Sequence, residues 1–152
     1  MSIYFRKATL ADSSKVADIL IESRRAFLPF APSAHTDDEN RHWVRATLIP
    51  EGGVIVAYKR SAIVGVIATS REGGFSWIEQ LYLDPAHVGR GIGTMMMDHI
   101  LDSIKKPVRL YTFQENYGAR RFYERYGFKS IAFSDGQGNE ERCPDILYEL
   151  SM

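Results

Sequence analysis

The chain carries one cysteine, Cys143, in 152 residues, so no intrachain disulfide can form. That scarcity suits a reducing compartment, and a cytoplasmic location is expected. Cys143 stands between Arg142 and Pro144 with no nucleophile motif around it, which argues against a catalytic thiol. An excess of either charge is also missing. Lys plus Arg and Asp plus Glu each total 19, and the net charge is zero. A balanced chain is not a bulk electrostatic binder of nucleic acid, although a local basic pocket stays open to it. Long apolar runs are absent as well. The longest, Ala62 to Ala68, is far short of a membrane span. The first seven residues hold no apolar signal core. There is no repeat, no linker and no low-complexity segment, and no metal is expected.

What remains is ordinary for one soluble domain covering residues 1–152, with 45% hydrophobic and 25% charged residues. A chain of this length buries roughly two thirds of its unfolded surface and needs no staples.

The pattern predicts a first strand over 2–8 and an amphipathic helix over 11–27, capped by Thr9 or Asp12. Leu28-Pro29-Phe30-Ala31-Pro32 breaks that helix. A second helix starts at Thr36, with Asp37, Asp38 and Glu39 suiting its first turn, and is expected to stop before Pro50. Residues 53–58, 62–70 and 75–83 read as three strands in a meander. Helix 92–104, strand 107–113 and helix 116–126 follow. Strands 128–133 and 146–150 come last, joined by a polar loop over 134–142. Strand 75–83, helix 92–104 and strand 107–113 form a βαβ unit, whose crossover is too long for a hairpin. The fold class is therefore α/β with a mixed sheet: an antiparallel N-terminal meander joined to a central parallel βαβ, about six or seven strands and four helices.

Between strand 75–83 and helix 92–104 lies Asp84-Pro85-Ala86-His87-Val88-Gly89-Arg90-Gly91-Ile92-Gly93, with glycines at 89, 91 and 93. A glycine loop opening a helix can wrap backbone N–H groups around a phosphate, with the helix dipole adding to them. It is not a Walker loop, which needs four residues before Gly-Lys-Ser/Thr. Nor do its glycines fit Gly-x-Gly-x-x-Gly of dinucleotide folds. A plain glycine turn with no ligand is the alternative.

Val88-Gly89-Arg90-Gly91-Ile92-Gly93 resembles the acyl-CoA signature of the GNAT superfamily of N-acetyltransferases, Gln/Arg-x-x-Gly-x-Gly/Ala. A second segment, Asn116-Tyr117-Gly118-Ala119-Arg120-Arg121-Phe122-Tyr123-Glu124-Arg125-Tyr126-Gly127-Phe128, is similar to that family's Asn-x-x-Ala-x-x-Phe-Tyr-x-x-x-Gly-Phe. The two occur in the family's order and separation. The first signature position departs from the pattern, because Val88 stands where Gln or Arg is usual. One lost side-chain contact of this kind is worth about 0.5–1.5 kcal/mol, so the site is weakened and not abolished. Arg90 is either a compensating charge or an exposed solubilising residue.

The resemblance implies the GNAT fold, acetyl-CoA as co-substrate held by the main chain of 88–93, and an N-acetyltransferase acting on a primary amine. The amine belongs to a small molecule or a peptide. It also implies that the main chain of Leu81, Tyr82 and Leu83 meets the pantetheine arm and polarises the thioester oxygen. The Asn116 side chain either contacts that arm or caps its helix. A homodimer is implied by analogy only. The alternative function is a non-catalytic acyl-CoA-binding sensor or regulatory module.

Freeing a lysine-like amine at pH 7 costs ~4–5 kcal/mol, which calls for a general base. Glu79 is the candidate. Strand alternation would set it on one face with Trp77, Leu81 and Leu83, where an acid tends to have a raised pKa. Its bland reading is a partner for a surface arginine. His35, His42 and Glu141 are weaker candidates. Tyr123 is the candidate acid, on a helix that can bring it to the cleft mouth. It would protonate the leaving thiolate or donate a hydrogen bond to it. Its bland reading is a core aromatic. Acidic residues at 37–39, 140, 141 and 145 would favour a cationic acceptor, whereas Arg142 would hold a carboxylate.

Overall fold

The computed structural model describes residues 2–151. Seven strands form one mixed sheet in the order β1-β2-β3-β4-β5-β7-β6. They are β1 (Tyr4–Lys7), β2 (Val54–Lys59), β3 (Ala62–Glu72), β4 (Phe75–Leu83), β5 (Val108–Phe113), β6 (Lys129–Ser134) and β7 (Asp145–Leu150). The helices longer than one turn are α1 (Ser13–Phe27), α2 (Asp37–Trp43), α4 (Ile92–Leu101) and α5 (Tyr117–Arg125), and α3 is the single turn Ile49–Glu51. The α/β mixed-sheet fold expected from the sequence is the one observed. Among the described residues no helix is long and apolar enough to cross a membrane.

Helices cover the sheet on both faces. Val16, Ile19 and Leu20 of α1 pack on Val54, Val56 and Val66 of the meander. Met96, Met97 and Ile100 of α4, with Tyr123 of α5, pack on Ile78, Leu110 and Tyr148. Burying a large apolar side chain contributes about 1.5–3 kcal/mol, so these two layers carry most of the fold's stability.

Helix boundaries differ from the sequence expectation where tertiary packing decides them. Thr36 caps α2 with a full capping box, its hydroxyl accepting from the Glu39 N–H at 3.1 Å. The helical path does not stop before Pro50. It widens into a π turn at Val44–Leu48 and ends in α3, with Pro50 in the first turn, where its missing N–H is tolerated. Burial of Val44, Leu48 and Ile49 against α1 and the meander explains why the chain stays coiled there. Helix α4 ends at Leu101, earlier than the expected 104.

Candidate active site

Strands β4 and β5 run parallel but pair only at Ser76 with Val108 and Trp77 with Arg109. Beyond Trp77 they splay. The cause lies in β4 itself. Thr69 of β3 faces Ile78 and Ala68 faces Gln80, so Glu79 is an extra residue, a β-bulge. A bulge bends its strand and here turns the end of β4 away from β5. The opening is a cleft of about 570 Å³ whose walls include Ile78, Glu79, Leu81, Leu110, Tyr111 and Tyr123.

The register of β4 on β3 fixes which amides face this cleft. The Asp84 N–H donates to the Val64 carbonyl at 2.8 Å, and Leu83 lies opposite Gly65. Hydrogen-bonded and non-bonded pairs alternate in an antiparallel ladder. The amides of Gln80 and Tyr82 therefore turn to β3, and those of Leu81 and Leu83 turn to the splay. Of the three main-chain groups anticipated at this site, the Tyr82 amide points the wrong way. Its side chain packs instead on the α1 face.

At the end of β4, Asp84 accepts from the Ala86 N–H at 3.0 Å and closes a 3-10 turn at Pro85–His87. Gly89 and Gly91 follow with φ of 77° and 78°. This left-handed conformation is strained for residues with a Cβ. Gly91 is the N-cap of α4 and offers no side chain to the first turn. Among the described residues, the N–H groups of 89–94 donate to no protein acceptor. A Cβ built on Gly89 or Gly91 meets nothing within 4 Å, so the loop's flank is open. Free N–H groups at the positive end of a helix dipole, beside open space, fit a diphosphate. Val88 and Arg90 are both exposed on this loop.

The expected alternation of Trp77, Glu79, Leu81 and Leu83 on one face does not hold, because the bulge interrupts it. Leu81 and Leu83 pack towards α4 and α5. Glu79 is exposed and accepts from the Ser70 hydroxyl at 2.8 Å, not enclosed among apolar side chains. Tyr123 is 9% exposed and packs against Phe122, Phe128 and Tyr148. It forms a buried wall of the cleft rather than part of its mouth. Burial, and secondarily the nearby Tyr82, push its phenol above the ordinary tyrosine range. A harder ionisation favours a neutral hydrogen-bond donor over a full proton donor. Asn116 caps α5, its Oδ1 accepting from the Ala119 N–H at 3.3 Å.

A second cavity, of about 440 Å³, lies between α1, α2 and the β6–β7 loop, lined in part by Arg24, His35, Glu39, Trp43 and Tyr82. Gln80, Tyr82 and Glu141 line both cavities. Three contacts join α1 and the segment after it to the β6–β7 loop. Arg24 Nη2 lies 3.1 Å from Glu141 Oε2, His35 Nε2 lies 3.2 Å from Glu140 Oε2, and Cys143 Sγ lies 3.4 Å from the Phe30 carbonyl. Of the acidic residues noted in the sequence, Glu39, Glu140 and Glu141 reach this cavity and Asp145 lines the cleft. Asp37 instead pairs with Arg25. Arg142 is exposed and lines neither cavity, and the same holds for His42. Arg24, Trp43 and Gln80 were not anticipated. Only the approach of α1, α2 and β4 in space identifies them.

The chain matches the family model described as Acetyltransferase (GNAT) family over residues 16–128. It is 21% identical to spermine/spermidine N(1)-acetyltransferase of Bacillus subtilis (strain 168), across 96% of this chain and 100% of that protein. Its fold matches the crystal structure of PaiA N-acetyltransferase from Thermoplasma acidophilum in complex with coenzyme A, at a TM-score of 0.77 and 20% identity over all of both chains. The solution structure of apo YjaB from Escherichia coli superposes at a TM-score of 0.78 with 23% identity, again over all of both chains.

Proposed function

Because the chain belongs to the acetyltransferase (GNAT) family, we propose that it moves the acetyl group of acetyl-CoA to the primary amine of a small molecule by direct attack. The observation that carries this reading is the wall shared by the two cavities. Gln80, Tyr82 and Glu141 separate a cleft suited to a thioester from a cavity suited to an acceptor. Two substrates can meet there without an acyl-enzyme. The one cysteine, Cys143, lines neither space.

Acetyl-CoA supplies an activated acetyl thioester. The free N–H groups of 89–94 and the α4 dipole hold its diphosphate. The Leu81 and Leu83 amides receive the pantetheine arm and the thioester oxygen. The Asn116 amide nitrogen, left free by the cap, is available to the same arm. The Tyr123 hydroxyl donates a hydrogen bond towards the departing sulfur. Glu79, on the cleft wall, draws off the amine proton directly or through water.

A small acceptor is favoured over a polypeptide. The three contacts that tie α1 and the segment after it to the β6–β7 loop bridge the route that an extended peptide would follow. Trp43 and Tyr82 give the cavity aromatic walls suited to a compact ligand. The Bacillus relative is named for spermine and spermidine, which places polyamines among the first acceptors to try.

An acceptor screen with free-thiol detection, run beside calorimetry with CoA, tests the proposal. Thiol release that depends on both acetyl-CoA and a small amine is expected. Tight CoA binding with no transfer to any amine would leave the sensor function, and no CoA binding would end both.

A further inference from the structure

We propose that Glu141 receives the acceptor's positively charged nitrogen, so that the enzyme selects amines protonated at neutral pH over uncharged ones. This rests on the acetyl-transfer reading and adds the acceptor's charge class to it.

The argument begins with position. Of the three residues on the wall between the cavities, only Glu141 is a carboxylate. A nitrogen moving directly from the acceptor cavity to the thioester cleft passes these three residues. The side chain is 18% exposed, so it is reachable but largely stripped of water. A charged hydrogen bond gains strength under those conditions.

The second step is the geometry of its partner. Arg24 Nη2 holds Glu141 Oε2 at 3.1 Å and also donates to the Ala31 carbonyl at 3.1 Å. Arg24 Nη1 lies 3.4 Å from the Tyr82 hydroxyl. Arg24 thus braces α1, the following loop and β4 against Glu141. Glu141 Oε1 has no protein donor among the described residues. One oxygen is fixed and the other is left to accept.

The third step is the local charge. Arg24 is neutralised by Glu141, and Glu39 and Glu140 stand further out on the same cavity. His35 Nε2 lies 3.2 Å from Glu140 Oε2. Among the described residues Arg24 is the one arginine or lysine on this cavity and, although its Nε has no partner, its charge is paired with Glu141, so the passage suits a cation. Glu79 is less well placed, since it lines only the cleft and its Oε1 accepts from Ser70. Binding at Glu141 precedes deprotonation and leaves the proton's destination to the cleft.

Phenethylamine and 4-ethylaniline are isomers that separate charge from size, the first protonated at pH 7 and the second neutral. Calorimetry on the CoA-saturated protein would measure both, for the wild type, Glu141→Gln and Glu141→Asp. Loss of a charge-assisted hydrogen bond should weaken phenethylamine binding about 10-fold or more in Glu141→Gln. Binding of 4-ethylaniline and of CoA should stay within about twofold, since neither uses that charge. Glu141→Asp should keep the preference for the cation. Equal loss for both isomers, loss for neither, or a wild type that binds neither overturns the proposal. A wild type that ignores CoA overturns the acetyl-transfer reading instead, because the CoA titration is a separate measurement.

Discussion

The Tyr126 hydroxyl donates to Asp98 Oδ1 at 2.7 Å, with the Thr94 carbonyl at 3.0 Å from the same oxygen. This contact ties the end of α5 to the first turns of α4, the helix whose free N-terminus borders the glycine loop. Burial first, and then Asp98, hold the Tyr126 phenol up at about 12. Tyr123 and Tyr148 are raised in the same direction, chiefly by burial. The unfolded chain loses these protons near pH 10 and the folded chain holds them longer. Stability from all three is therefore complete below about pH 10 and falls as pH rises towards 12 and beyond. Tyr126→Phe should cost about 0.5–1.5 kcal/mol at pH 7, and its denaturant midpoint should decline less between pH 10 and 12 than that of the wild type. Parallel declines in the two proteins would contradict the assignment.

Gly91 holds φ of 78° at the N-cap of α4. Alanine there costs about 1–2 kcal/mol in the left-handed conformation, or else moves the loop. Either outcome re-aims the free N–H groups of 92–94. Gly91→Ala should weaken CoA binding about 10-fold or more, as loss of two hydrogen bonds to a charged diphosphate would. Unchanged affinity by calorimetry would mean that the diphosphate is held elsewhere.

Much of this site was readable in the chain because local chemistry sets it. The glycines at 89 and 91 occupy left-handed positions, and Asn116 caps α5, as residue types alone suggest. The environment of Glu79 was not readable. Alternation along β4 counts residues in one strand, whereas the bulge depends on how β3 pairs with it. Glu141 and Arg24 are 117 residues apart, and nothing in either segment announces the other. The path through Pro50 was also hidden, since burial of Ile49 overrides a local stop signal.

Asp12 accepts from Arg6 Nη1 and Nη2, at 2.7 and 2.9 Å, and from the Thr9 N–H at 2.8 Å. The Arg6 hydrogen bonds hold its carboxyl down at about 2, against the opposing effect of burial, with Thr9 adding to the lowering. A depressed folded pKa gives stability that is present above the unfolded value near 4 and lost as pH falls towards 2. Asp12→Asn should lower stability by about 1–3 kcal/mol at neutral pH, because it leaves Arg6 short of a charged acceptor where β1 meets α1. The variant should also lose part of the wild type's decline between pH 4 and 2. Identical acid profiles would remove Asp12 from the account.

Tyr123 separates a structural from a chemical role for its hydroxyl. The ring is packed among Phe122, Phe128 and Tyr148, but the hydroxyl makes no hydrogen bond to protein among the described residues. Phenylalanine keeps the packing and removes only the hydroxyl of a residue that lines the cleft. The melting temperature and CoA affinity of Tyr123→Phe should therefore match the wild type. Its kcat should drop, by about 10-fold to 100-fold, if the hydroxyl stabilises the departing sulfur. Because burial raises the phenol above its ordinary range, its ionisation cannot produce an activity loss below about pH 10. Full turnover in Tyr123→Phe would return this residue to the core and shift the donor role to another group on the cleft wall. An alkaline activity loss below pH 10 that vanished in the variant would instead show the phenol to ionise far more easily than its burial allows.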